Sequence, residues 1–444
     1  MRFLRKSRGQ EPVFRGQITA LMALVFVLML SLVSALFESA SIHIQKNNLR
    51  ARTMIAVESA FAEYDKGLLE KYDIFARYGK EEDSFSERLL YFGASGAEHS
   101  LESIQLLSDS SGMPFYEQAV KYAKTWMGLE EFSFGEEYVL EDGKTMENKE
   151  NTAYKNLENF LQREQVNLPA ENNPLSAIQR LKTMDLLTML FVDSSELSSR
   201  SIRTENLPSK RSLEGGNYKE TTSNHLVDTA FFVSYLTGHF SNKQNADSGQ
   251  KLLYEMEYLL EGNGSDRENL TAVCNQLMLI RMLANYSYLL TDTAKQKEVE
   301  LAVGVLCTLI SVPEITEAVK QAVLFAWAYG ESVVDVRGLL EGKKVPLVKS
   351  SGTWKLQLNQ LGNLATSGII GGETSLEKGM GYEDYLIAFL LLEKRETLCM
   401  RCLDLIETNL NLRVDCCMTK VQVESNATLR RGIKETFTTR FGYR

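Results

Sequence analysis

The side chains that could carry chemistry here are four histidines, six cysteines and a few charged residues set inside apolar runs. His43 and His99 stand alone, and His225 and His239 fall fourteen residues apart on one expected helix. That is about four turns, too far for one metal ion. Cys399, Cys402, Cys416 and Cys417 lie close together, but a zinc site uses two spaced pairs and Cys416-Cys417 has no spacer. Cys399 and Cys402 share an apolar helical stripe with Phe389, Leu392, Leu403 and Ile406, which reads as small core side chains. Disulfides are the alternative in an oxidising compartment. Cys274 and Cys307 sit in apolar helices and read as core. EGNGSDREN (residues 261–269) has calcium-loop residue types without the required glycine or final acid. Ser265 followed by Glu268 reads instead as a capping box. Gly342-Lys343-Lys344 lacks the rest of a phosphate loop, and no GxSxG, HExxH or dinucleotide fingerprint occurs.

Arg281 is more informative, because it stands inside LMLIRMLANY. Glu331 and Asp335 lie four apart on another apolar helix and share a face. A charge on such a face needs a partner, since burying it alone costs several kcal/mol. The expectation is an inter-helix ion pair between Arg281 and Glu331 or Asp335, structural rather than catalytic. No catalytic residue, cofactor or metal is expected, and the protein reads as a non-enzyme.

The elements that must position these residues hang from one stretch. It begins at Ile18, ends at Phe37, and contains no charge, proline or glycine. A helix of that length rises about 30 Å, the thickness of a bilayer's hydrocarbon core. Twelve of its residues are Leu, Ile, Val or Phe, worth about 4 to 7 kcal/mol toward insertion. Its expected partner is therefore the lipid bilayer. The rival reading is a cleaved signal peptide, with Val33-Ser34-Ala35 as a loose cleavage site. Residues 1–17 carry Arg2, Arg5, Lys6, Arg8 and Arg15 against Glu11, so a chain of net charge −9 has a basic tail and an acidic remainder. A basic flank stays in the cytoplasm, which puts the body outside a cell membrane crossed once. An acidic body offers no electrostatic basis for nucleic acid.

No glycine or proline follows before Gly67, so the helix is expected to continue as a stalk to about Phe75. Met54, Val57, Phe61, Tyr64, Leu68, Tyr72 and Phe75 recur at helical spacing as one apolar stripe. Packing on the protein's own body is the favoured use of that stripe, and a partner helix is the alternative. Helices are expected at 83–92, 115–127, 152–163, 175–191, 225–240, 252–260, 270–290, 299–310, 315–340 and 382–411, with a weak β-like run at 131–140. Residues 417–423 and 436–443 alternate and read as a terminal β-hairpin. The chain thus divides into a tail (1–17), span (18–37), stalk (38–78), first helical region (79–200), loop or linker (201–223) and second helical region with the hairpin (224–444). The fold class is mainly α, with minor β.

Several stretches resemble a family. They are Gly16-Gln17-Ile18-Thr19; YDKGLLEKYDIF from Tyr64; Glu257-Tyr258-Leu259-Leu260-Glu261-Gly262 with Asn269-Leu270; and Arg281 with Asn285. Further on come Trp327-Ala328, Glu331-Ser332, Asp335-Val336-Arg337, Gly342-Lys343-Lys344-Val345-Pro346-Leu347 and Trp354. Tyr382-Glu383-Asp384-Tyr385-Leu386 and Asp404-Leu405-Ile406-Glu407 with Asn409 complete the set. The chain resembles an uncharacterised family of membrane-anchored proteins of Gram-positive bacteria, associated with tight-adherence (Tad-type, Flp) pilus and secretion loci. Gly16 matches the glycine before a pseudopilin span, whereas Leu21 stands where the pseudopilin glutamate would be. The resemblance implies a structural or assembly component of an envelope complex with protein partners. The alternative is an extracytoplasmic receptor or enzyme whose site is built from dispersed residues.

Overall fold

The computed structural model describes residues 14–128, 186–191, 197–218, 226–310, 316–363 and 379–443. The expected elements at 131–140 and 152–163, most of 175–191, and His225 lie outside them.

Helix α1 (Phe14–Phe61) is 48 residues long, about 72 Å. Its most apolar window is wholly unburied by the protein and long enough to cross a membrane. The chain continues through α2 (Lys66–Tyr72), β1 (Arg77–Tyr78), α3 (Glu82–Tyr91), β2 (Glu98–Leu106), α4 (Asp109–Trp126), α5 (Leu186–Leu190) and α6 (Leu226–His239). Then come α7 (Glu255–Glu261), α8 (Asp266–Thr291), α9 (Thr293–Ile310), α10 (Thr316–Leu340), α11 (Tyr382–Leu392) and α12 (Arg395–Leu410). Strands β3 (Cys417–Thr428) and β4 (Lys434–Gly442) close it.

The expected unbroken helix to Phe75 is corrected. No breaker residue ends α1; tertiary contacts do. The Phe61 ring packs against Phe85, Phe441 and Tyr443 at 5.0–6.1 Å between centroids. The Tyr443 hydroxyl donates to the Phe61 carbonyl, one of the acceptors a helix end leaves open. Asp65 then starts α2 afresh, accepting the Leu68 N–H at 2.9 Å. The stripe is therefore split. Val57 and Phe61 join a cluster between α1, α3 and the sheet, whereas Leu68 and Tyr72 join the main core. Tyr64 and Phe75 are half-buried and touch edge-on, and Met54 is half exposed.

Strand β3 is the centre of a four-stranded antiparallel sheet, flanked by β2 on one edge and by β1 and β4 on the other. The hairpin was legible; β2 was not expected. Val421, Val423, Ser425 and Ala427 alternate inward under α1 and α3, and their neighbours face out. His99 on β2 is engaged by Ser425 Oγ at 2.9 Å and the Ala94 carbonyl at 2.7 Å. His239 spans Tyr235 O and Asp73, and His43 is exposed.

The main core joins residues on both sides of the expected linker, from Leu68 through Phe115 to Phe232, Trp327 and Ile406. The described part of that linker, 201–218, lies as a strap against β2, α4 and α12. Gly216 donates its N–H to Asp109, and a Cβ there would lie 2.2 Å from the Ile104 carbonyl, so only glycine fits. Arg211 forks onto Glu407 and also reaches Asp415. The expected helix at 382–411 is two helices. Glu393 and Lys394 are extended, which turns α11, packed on α6 and α7, away from the direction of α12, packed on α4. Leu392 is left 85% exposed at the corner.

Phe61→Asp should place a charge in the cluster under the sheet and destabilise the body by about 3 kcal/mol or more. Met54→Asp, on the same stripe but half exposed, should stay near about 0.5 kcal/mol. Chemical denaturation of the detergent-solubilised chain measures both, and equal effects would contradict the packing described.

Candidate functional site

Among the described residues, the largest concentration of buried charge lies where α8 and α10 cross. The apolar stripes of the two helices bring Arg281 and Asp335 together, both fully buried. The Arg281 guanidinium donates through Nε at 3.1 Å and Nη2 at 2.8 Å to Asp335 Oδ2. Its Nη1 donates to the Pro346 and Leu347 carbonyls at 2.9 and 3.2 Å. Asn285, one turn along α8, donates to Ser332 and to Asp335, each at 3.0 Å. Glu331 does not face Arg281. It pairs with Lys349 at 2.5 Å and accepts the N–H groups of Lys355 and Leu356 at 3.0 and 2.7 Å. Lys349 reaches Asp335 Oδ1 as well, at 2.6 Å.

Two cations and two carboxylates thus form a closed, neutral set. Burial pushes the Glu331 carboxyl up, against the opposing pull of Lys349. Burial pushes the Arg281 guanidinium down, but Asp335 and Tyr385 outweigh it and leave it raised. The set holds the 343–356 loop on α10. Trp327 and Trp354 both donate to the Leu356 carbonyl, and the Lys295 ammonium lies 4.5 and 4.9 Å from their ring centroids. This arrangement has the geometry of a clasp. Its groups are occupied with one another and leave none aimed at a substrate.

A second set of buried acids does the same for other loops. Asp266 accepts the Leu253 and Tyr254 N–H groups, Glu255 that of Ser241, and Asp404 that of Ser209. Ser265 caps α8 by accepting the Glu268 N–H, which puts the 261–269 segment to use as a helix start. Glu257 is fully buried; its Oε1 accepts the Tyr382 hydroxyl at 2.7 Å and the Lys243 N–H at 3.0 Å. Its Oε2 has no hydrogen-bond partner among the described residues. Burial pushes this carboxyl up to about 7. Cys274, Cys399, Cys402 and Cys417 are buried free thiols, and burial raises each of them away from the reactive thiolate form. Cys416 is a half-buried free thiol.

A concave feature among the described residues lies elsewhere. A cleft of about 490 Å³ opens between the end of the sheet, α4 and the strap. Lys121, Lys420 and Arg440 stand on its walls with Glu117, and Tyr218, Phe441 and Tyr443 supply aromatic surface. The Lys420 ammonium lies 6.0 Å from the Tyr218 ring centre. Gln118 is held by both backbone groups of Phe75, and Thr419 by Gln105, so part of the wall is rigid. Three cations against one acid, with aromatic faces, can hold an anionic group; they offer no nucleophile positioned by a base. Sequence reading missed this cleft because its residues come from five separated stretches. It also missed Lys349, which no periodic pattern marks. Glu257 could have been found, since it sits in the apolar run of α7 much as Arg281 sits in α8.

Residues 164–429 match a family described as being of unknown function, DUF5702. The chain belongs to DUF5702. The matched region contains the whole Arg281 clasp and β3, whereas α1, α4, β2 and β4 lie outside it. No curated protein and no solved structure matches the chain.

Two changes test the clasp and the buried acid. Asp335→Ala leaves Arg281 buried without its carboxylate and should destabilise by about 3 to 5 kcal/mol. A loss under about 1 kcal/mol would mean that the clasp is not what holds the crossing. Glu257 has a folded-state value above the ordinary one. Its contribution to stability is therefore full below about pH 4.5 and is lost as pH rises toward about 7, a total of order 3 kcal/mol. Glu257→Gln should flatten that part of the stability-versus-pH curve, measured by denaturant titration at successive pH values. An unchanged slope would exclude Glu257 as its source.

Proposed function

We propose that this DUF5702 protein is a membrane-anchored, extracytoplasmic structural component that presents its body to protein partners in a cell-envelope assembly. The observation that carries the reading is the way the anchor enters the body. Helix α1 leaves the apolar span and runs without interruption onto the sheet. There Lys46 and Arg50 both reach Glu435 at 2.7 Å, and Phe61 is sealed among aromatic rings. A flexible tether would serve to keep a soluble domain near a membrane. A rigid helix embedded in the body sets its height and orientation, which matters when other subunits must meet it. The basic tail supports a cytoplasmic N-terminus. The acidic remainder gives no support to a nucleic-acid partner, and the clasps around Arg281 and Glu257 act on the protein's own loops rather than on a substrate. The assembly is of the tight-adherence type on the residues that carry that resemblance.

A second reading, an extracytoplasmic receptor, is favoured by the cleft at Lys121, Lys420 and Arg440. One experiment separates the two. Deleting the gene should impair envelope assembly or surface adhesion, and the full chain should restore it. A body secreted from residue 38 onward should not restore it, whereas a full chain carrying Lys121→Glu and Arg440→Glu should. Full rescue by the secreted body, with failure of the cleft variant, would reverse the order of the two readings.

A further inference from the structure

The β3–β4 hairpin runs along α1 toward the membrane. Ala427 and Phe437 pack with Leu49, Glu435 meets Lys46 and Arg50, and Arg431 at the tip meets Glu38 at 2.5 Å. Leu49 lies eleven residues beyond Glu38, a rise of about 16 Å along the helix, and the end of β3, the Arg430–Gly432 turn and the Arg431 side chain together cover that distance to Glu38. The tip therefore descends to the level of Glu38, the first residue after the apolar span. The headgroup layer extends roughly 5 to 7 Å beyond the hydrocarbon core on each side. Glu38, and with it Arg431, falls inside that layer.

The tip is built for such a place. Arg430, Arg431 and Lys434 are all exposed, and no acid lies between Leu429 and Lys434. Ile433 beside them is 37% exposed. This is a local run of three positive charges on a chain whose net charge is −9. Arg431 is left-handed, at φ 61°, next to Gly432 at φ 73°.

We propose that the β3–β4 tip is a second membrane contact, in which Arg430 and Lys434 bind the headgroup phosphates of anionic phospholipids, the Arg431–Glu38 pair holds the tip at that height, and Ile433 meets the headgroup end of the acyl chains. The proposal rests on α1 spanning the bilayer. Two anchoring points on one rigid frame stop the body from swinging about α1, which one helix alone does not do. Juxtamembrane basic residues gain attraction from an anionic surface, and that attraction decays within a Debye length, so only groups at the height of this tip profit fully.

The test uses the full chain reconstituted into vesicles of phosphatidylcholine, with or without phosphatidylglycerol, the lipids being brominated at the headgroup end of one acyl chain and near the methyl end of the other. A tryptophan introduced as Ile433→Trp reports the tip, and one introduced as Phe26→Trp reports the span. Both should be quenched, and the quenching at 433 should rise with phosphatidylglycerol. Adding Arg430→Glu and Lys434→Glu, which spares the Glu38–Arg431 pair, should abolish that rise, and glycerol phosphate in solution should not. Quenching at 26 without quenching at 433 would overturn the membrane contact and leave the anchor intact. Quenching at neither would overturn both readings. Quenching at 433 that ignores phosphatidylglycerol, or is competed away by free glycerol phosphate, would overturn recognition of anionic headgroups.

Discussion

The body depends on carboxylates buried beneath its loops. Asp335 is the plainest case, because it accepts from Arg281, Asn285 and Lys349 at once and has no access to water. Taken singly, each of these charges would be expelled from a protein interior. Taken together they are neutral, and they tie α8, α10 and the 343–356 loop into one unit. The same logic recurs with Glu331, Asp266, Glu255 and Asp404, each of which accepts N–H groups from a loop that has no sheet or helix to satisfy them. Loops fixed this way behave as extensions of the core. A stray substitution among these acids would release a stretch of backbone as well as a side chain.

The second constraint is mechanical. Helix α1 belongs to two environments, exposed over its apolar half and packed against α3, β3 and β4 over the other. Cluster residues Val57, Phe61, Val421 and Val423 join the helix to a sheet whose strands come from both ends of the described chain. The sheet is therefore the bracket between the long apolar helix and the helical body. Its central strand, β3, lies inside the DUF5702 region, whereas its neighbours β2 and β4 lie outside. The family region thus covers the central strand of the bracket together with most of the helical body.

What the sequence determined by itself is whatever nearest neighbours along the chain can express. The apolar run from Ile18 to Phe37, the periodic helices α8 and α10, the Ser265 cap and the alternation of β3 and β4 are local patterns, and each was legible. The need of Arg281 for an acid was also legible, because a charge inside LMLIRMLANY has no local solution. Tertiary structure decided which acid it would be. Asp335 rather than Glu331 faces Arg281, and Lys349, arriving on a loop of no periodicity, bridges Asp335 to Glu331. Tertiary structure also ended α1 at Phe61 and split the helix at Glu393, where no glycine or proline stands, since packing against Phe441 and Tyr443 or against α4 outweighs the small gain of one more helical turn. It made a strand of Glu98–Leu106 by offering it the free edge of β3, more than three hundred residues away. Helix propensity acts over a few residues and can be read along the chain; pairing and burial act between distant residues, and only the folded chain brings those together.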